Sequence, residues 1–182
     1  EANIISEQAQ SIYALYEDRN DDQSFQFNSN LDFQPKKYWY MNASLRLNYL
    51  ISENYANVLD LLGGNGYLDV YSYSDNLEEA QNDLRHPNRI VQKGDTFKYH
   101  FKLYSTVAEG FGQIEYKKDK LEFYTGLNLK QHNFYREGLY ENGRYPGDKS
   151  FGKSEKLQFF GYGLKTGLTF KLTGRHLFSS NI

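Results

Sequence analysis

From Leu157 to Leu172 the chain reads LQFFGYGLKTGLTFKL, and apolar and polar residues alternate there with a period of two. Phe160, Tyr162, Leu164, Thr166, Leu168, Phe170 and Leu172 make one row, and Gly161, Gly163, Lys165, Gly167, Thr169 and Lys171 make the other. A period of two sends the two rows to opposite faces of one strand. Globular strands run about five or six residues, whereas this stretch is long enough to cross a hydrocarbon layer, for which about 9 to 11 suffice. Thr173-Gly174-Arg175 then reads as a tight turn, and Leu177-Phe178-Ser179-Ser180 as the start of another strand.

The same alternation recurs upstream. Gln10 to Asp18 reads as a first strand and Arg19-Asn20-Asp21-Asp22 as a turn, while residues 1–9 show no period. Gln23 to Phe33 sets Phe25, Phe27, Leu31 and Phe33 against Gln26, Asn28, Asn30 and Asp32; Tyr38 to Ile51 sets Trp39, Met41, Leu45, Leu47 and Tyr49 against Asn42, Arg46 and Asn48. Thr96 to Tyr104 alternates again, with a bulge expected around Ser105 to Ala108 before Gly110 to Tyr116, and Leu121 to Gln131 completes the set. That makes about seven strands. The connections alternate short and long: 34–37, 52–95, 117–120, 132–156 and 173–175. Tight turns on one side and long loops on the other are the asymmetry of an outer-membrane barrel. The short segment 19–22 is the exception. Inside the long connection 52–95, Leu77 to Leu84 is expected to form a short helix ending before Pro87.

Composition narrows the function classes. Of 182 residues, 17 are Tyr and 13 Phe, yet the mean hydropathy is -0.77, so large rings sit singly among polar neighbours. No run approaches the ~18 apolar residues of a membrane helix, and alternating strands escape that test. The net charge of -2 with scattered Lys and Arg offers no basic field for nucleic acid. Without cysteine there is no disulfide framework, thiolate metal site or cysteine nucleophile. The start, Glu1-Ala2-Asn3-Ile4-Ile5, has neither the basic n-region nor the apolar core of a signal peptide.

No catalytic constellation is found, and the chain is not expected to be an enzyme. His86, His100, His132 and His176 lack metal-ligand spacing. Gly161, Gly163 and Gly167 fall inside a strand, where small residues let neighbouring side chains approach closely. Asp18-x-Asn20-x-Asp22 has the opening of a calcium loop, but Gln23 replaces its glycine and Ser29 its final acid, so no cofactor is expected. Asn42-Ala43-Ser44 matches a glycosylation acceptor in mid-strand. The loop 134–151 carries the residues best suited to contact a ligand: Tyr135, Arg136, Tyr140, Arg144 and Tyr145. On the strands, Asn42, Arg46, Asn48 and Lys165 are expected to face a lumen, and Trp39, Phe160 and Tyr162 to form an aromatic girdle towards lipid.

Several segments carry a family resemblance. Phe151-Gly152-Lys153-Ser154-Glu155-Lys156, Tyr162 to Lys171 (YGLKTGLTFK), Gly174-Arg175-His176, Asp60-Leu61-Leu62-Gly63-Gly64, Asn82-Asp83-Leu84, Pro87 to Val91 (PNRIV) and Lys93-Gly94-Asp95 resemble the barrel of TonB-dependent receptors of Bacteroidetes-type bacteria. The resemblance implies an all-β, antiparallel transmembrane barrel of 22 strands in the outer membrane. It also implies an N-terminal plug through which TonB drives uptake of a nutrient or chelate, and in some relatives a SusD-like surface lipoprotein partner. Residues 1–182 would then be an internal segment of the barrel domain, since plug, TonB box and closing aromatic strand are not found in them. The competing expectation is a small complete barrel that binds a ligand or serves as a structural component of a membrane assembly.

Overall fold

The computed structural model describes residues 10–182, and the stretch 1–9 lies outside the described residues. Ten strands follow in order: β1 Gln10–Ser11, β2 Leu15–Lys36, β3 Trp39–Asp60, β4 Gly66–Leu68, β5 Ile90–Val91, β6 Thr96–Lys118, β7 Leu121–Gly138, β8 Gly152–Lys153, β9 Leu157–Lys171 and β10 Leu177–Asn181. A single 3-10 turn, Gly147–Lys149, is the only helical element among the described residues. Six strands form an antiparallel sheet in the order β10-β9-β7-β6-β3-β2, and β8 adds to β7 as a seventh. A smaller sheet joins β1, β4 and β5.

The large sheet has seven strands where about seven were expected in all, but its make-up differs. Residues 19–22 do not turn; they continue β2 without a break. Arg19 bonds Asp21 on the same strand face and lies over the Tyr55 ring of β3, so a run that looked like a turn is a solvated stretch of ladder. This removes the one exception to the alternation of short and long connections. β3 runs on to Asp60 and β7 to Gly138, which shortens both long loops. β6 is likewise one strand. Ser105 meets His132 at 2.9 Å and Glu109 meets Asn128 at 2.8 Å, so odd positions of β6 keep facing even positions of β7 and no bulge resets the phase. Residues 77–84 form no α-helix. Asn76 Oδ1 accepts the Glu78 and Glu79 amides and Ala80 N donates to Asn76 O, which closes one helical turn before Gln81 bridges to Val70.

The chain divides into two compact units, and the long strands give residues to both. The sheet unit comprises Ser24–Tyr49, Ser105–Asn133 and Leu157–Ile182. Its only buried residues are Gly126 and Gly167, so neither sheet face packs on protein. At Gly167 a Cβ would lie 2.3 Å from the Tyr124 ring, so the glycine lets an aromatic side chain lie flat on the strand. The apolar row stands in the open: Leu45 is 44 % exposed, Leu47 40 %, Leu164 67 % and Leu168 43 %. The opposite row is polar and cross-linked, with Arg46 bonding Asn28 (3.3 Å) and Glu109 (3.6 Å), and Asn42 bonding Asp32.

Among the described residues the loop unit comprises 10–23, Leu50–Tyr104 and Phe134–Lys156, and it holds the buried core. Ala56, Val58, Leu61, Val91 and Phe97 are buried together, with Ala14, Tyr67 and Tyr99 packed around them. The Tyr16 and Tyr67 rings meet Phe97 edge-on at 5.5 and 5.9 Å. Tyr99 donates to Asp18 at 2.8 Å, and burial together with that carboxylate pushes its phenol up to about 12. Phe97→Ala is expected to remove about 3 to 5 kcal/mol from the loop unit. Faster hydrogen exchange at the Val58 amide, which donates to Asp95 O, would report it.

Candidate functional site

A cleft of about 570 Å³ opens in the loop unit. Tyr13, Tyr67, Tyr71, Tyr73, Asn82 and Lys98 line it, with Ile12, Val70 and Ser72 between them. Its size is that of small-molecule sites. Short pairings assemble it. β1 runs parallel to β4, with Ser11 opposite Tyr67, and Ser11 Oγ donates to Leu61 O at 2.5 Å, which ties the segment carrying Tyr13 to the one carrying Tyr67. Tyr67 in turn pairs with Val91 of β5. Tyr71 N donates to Ala80 O, and Gly143 N to Gln81 O. A Cβ on Gly143 would fall 1.9 Å from the Glu78 carbonyl oxygen, so only glycine permits this approach.

Beneath the cleft lies a buried polar hub. The Asp69 carboxylate, its side chain 1 % exposed, accepts Asn82 Nδ2 at 2.7 Å, Lys98 N at 2.9 Å and Arg89 Nη2 at 2.8 Å. Arg89 Nη2 also reaches Thr96 O and the Tyr140 hydroxyl, which itself donates to Thr96 O. Burial raises the Tyr140 phenol above its ordinary value, and Arg89 opposes the rise. The bond from Lys98 N helps to hold that residue at φ 62, the left-handed region that a side chain rarely adopts. The Lys98 ammonium thereby lies 3.5 Å from the centre of the Tyr16 ring.

The expected loop contacts do not form one site. Tyr135 stacks on Tyr104 at 4.6 Å and 7°. Arg136 donates to Ser150 O at 2.9 Å and lies over Phe101. Tyr140 belongs to the buried hub, and Tyr145 is exposed. Arg144 touches one residue of the cleft lining, its guanidinium 4.9 Å from the centre of the Tyr71 ring. Sequence reasoning passed over Tyr67, Tyr71, Tyr73 and Lys98. For the tyrosines the signal was the run YLDVYSYSD, three Tyr in nine residues against three in eighteen over 134–151.

In the sheet unit, Asn42 and Arg46 share the polar face as described. Asn48 Oδ1 is buried with no hydrogen-bond partner, and Lys165 borders a shallow depression with Phe111, Asn128 and Gly163. Trp39 lies 5.0 Å from Tyr116 and 6.5 Å from Phe123. Phe160 and Tyr162 are exposed. The lysines at these turns stand over aromatic faces, Lys37 and Lys118 on Tyr38 and Lys117 on Tyr40.

Set against known proteins, the chain matches no protein family and no curated protein.

Two outcomes check this geometry. Asp69→Asn leaves Arg89 without its buried counter-charge and is expected to cost about 3 kcal/mol, read as a lower melting temperature of the loop unit. The second concerns Glu53, which accepts His100 Nε2 at 2.6 Å and Lys102 Nζ at 3.1 Å and is held below the ordinary carboxylate range, first by His100 and then by Lys102. A depressed folded pKa stabilises above the unfolded value of about 4.3. That contribution is lost as pH falls through the lower folded value, so melting between neutral pH and pH ~3 should be less acid-sensitive in Glu53→Gln.

Proposed function

We propose that this chain is part of the wall and outer loops of an outer-membrane, TonB-dependent importer of a nutrient or chelate. The observation that carries this reading is the sheet unit's unpacked pair of faces, one apolar and exposed, the other polar and hydrogen-bonded. The apolar row runs from Trp39 to Tyr49 on β3 and from Leu121 to Leu129 on β7, eleven and nine positions. At about 3.3 Å per residue and a tilt near 40°, such rows rise about 25 Å, the height of a barrel's lipid-facing band. Water on both faces would leave this patch an aggregation hazard; lipid on one face relieves it.

In this reading Asn42, Arg46, Asn48 and Lys165 face the solute path, and Trp39, Phe160 and Tyr162 face lipid headgroups. The Trp39–Tyr116–Phe123 cluster with its neighbouring lysines has the chemistry of an interfacial girdle. The sheet order ends on β10 and β2, which do not pair with each other. Open edges are not tolerated in lipid, and this favours further strands over a small barrel closed by these residues alone. The plug and the coupling to TonB come from the family resemblance, as does a SusD-like lipoprotein as partner.

Arginine placed at Leu45 or Leu168 is expected to cost about 2 to 4 kcal/mol near the bilayer midplane, and arginine at Asn42 or Thr169 much less. Folding of the variants into phospholipid vesicles measures this. Equal penalties on both rows, or recovery of the protein in the soluble fraction of cells, would overturn the membrane reading.

A further inference from the structure

We propose that the tyrosine cleft of the loop unit binds an anionic sugar of the uronate type, with sugar rings on Tyr71 and Tyr73 and the carboxylate on Lys98. This deepens the importer reading and rests on it for the route by which such a solute would travel. The Tyr71 and Tyr73 rings stand 5.7 Å apart at 62°, a corner of two aromatic faces. Tyr73 is 88 % exposed and Tyr13 67 %, so large apolar faces are held in water at the mouth of a cavity. The C–H faces of a pyranose ring suit such surfaces, because they are apolar and weakly positive against the π cloud. Asn82 supplies amide groups for hydroxyls.

Charge then selects among sugars. The Lys98 ammonium rests on the Tyr16 and Phe97 rings, and among the described residues no carboxylate pairs with it. Arg144 at Tyr71 is likewise without an ion pair among the described residues. Arg89 pairs with Asp69, Lys102 with Glu53 and Arg136 with Ser150 O, while Arg85 lies over the Phe151 ring. Among the described residues no Asp or Glu lines the cleft, and Asp69 beneath it is consumed by Arg89, Asn82 and the Lys98 amide. An ammonium held on a low-polarity ring surface, on a residue that lines a cavity where no described residue is acidic, is complementary to a ligand carboxylate.

The test is titration of the intact protein in detergent with trigalacturonate and with its fully methyl-esterified form, which keeps the rings and removes the charge. Trigalacturonate should bind at least about tenfold more tightly than the ester, a preference that fades with added salt. Lys98→Met should erase the preference while Lys98→Arg keeps it. Tyr73→Ala, at an exposed position where folding is not at stake, should weaken both ligands alike. Equal affinity for acid and ester, a preference that survives Lys98→Met, or no binding of either would overturn the proposal. Outer-membrane fractionation of the same protein separates the two readings: a membrane-embedded protein without the preference sinks only the cleft assignment, whereas a soluble protein that shows it sinks only the importer.

Discussion

Everything in this molecule follows from a sheet unit that buries neither of its faces. A sheet in water normally hides one side against helices or a second sheet, and the side chains doing so become its core. Here Leu45, Leu47, Leu164 and Leu168 are open, and burial in that unit is confined to two glycines under neighbouring side chains. The opposite row holds itself with polar bonds, such as Arg46 to Asn28 and Glu109, and Thr169 to Ser179. Backbone ladders and polar cross-links hold the strands in register, and the apolar row is left uncovered.

The loop unit solves the opposite problem. Its strands carry Glu53 and Tyr55 at the odd positions of β3, the same phase that carries Leu45, Leu47 and Tyr49 in the sheet unit. Its even positions carry Ala56 and Val58, which join Phe97 and Val91 in a small dry core. That core is too small to order the loops alone, and the Asp69 hub does the rest. One carboxylate gathers Arg89, Asn82 and the Lys98 amide from three separate segments. A buried network of this kind specifies one loop arrangement, because losing any of its pairings would be costly; within it, Arg89 Nε is buried without a partner. The same hub sets Lys98 at the cleft, so the fold of the loops and the chemistry of their pocket share one group.

The strand cores were legible because one side chain in two was apolar. Of the tight turns, 173–175 lies where expected, while those expected at 34–37 and 117–120 narrow to 37–38 and 119–120, because Pro35 and its neighbours stay in β2 and Lys117 and Lys118 in β6. Where the strict apolar–polar alternation lapses the signal vanishes. Arg19 to Asp22, Ser52 to Asp60 and His132 to Gly138 are strand, yet they read as turn or loop, since ladder hydrogen bonds need no alternation of side chains. Leu77 to Leu84 erred the other way. Its helical spacing is real for a single turn, but the bonds from Gln81 to Val70 and from Gly143 to Gln81 pull the chain into a loop-to-loop contact that local propensity cannot foresee. Among the candidate contacts, Arg144 lies over Tyr71 of the cleft lining, while Tyr135, Arg136 and Tyr140 were drawn into packing.

The sequence by itself determined which residues share a strand face, the length of the apolar rows and the alternation of short and long connections, because these depend only on a two-residue period and on turn chemistry. Tertiary structure alone decided that β2 runs unbroken and that a tyrosine cleft forms over Asp69. Both depend on partners distant along the chain: the β3 residues that face Arg19 and Asn20, and the Arg89, Asn82 and Lys98 groups that converge on one carboxylate. No local pattern encodes such pairings, since their free energy exists only once the segments have met.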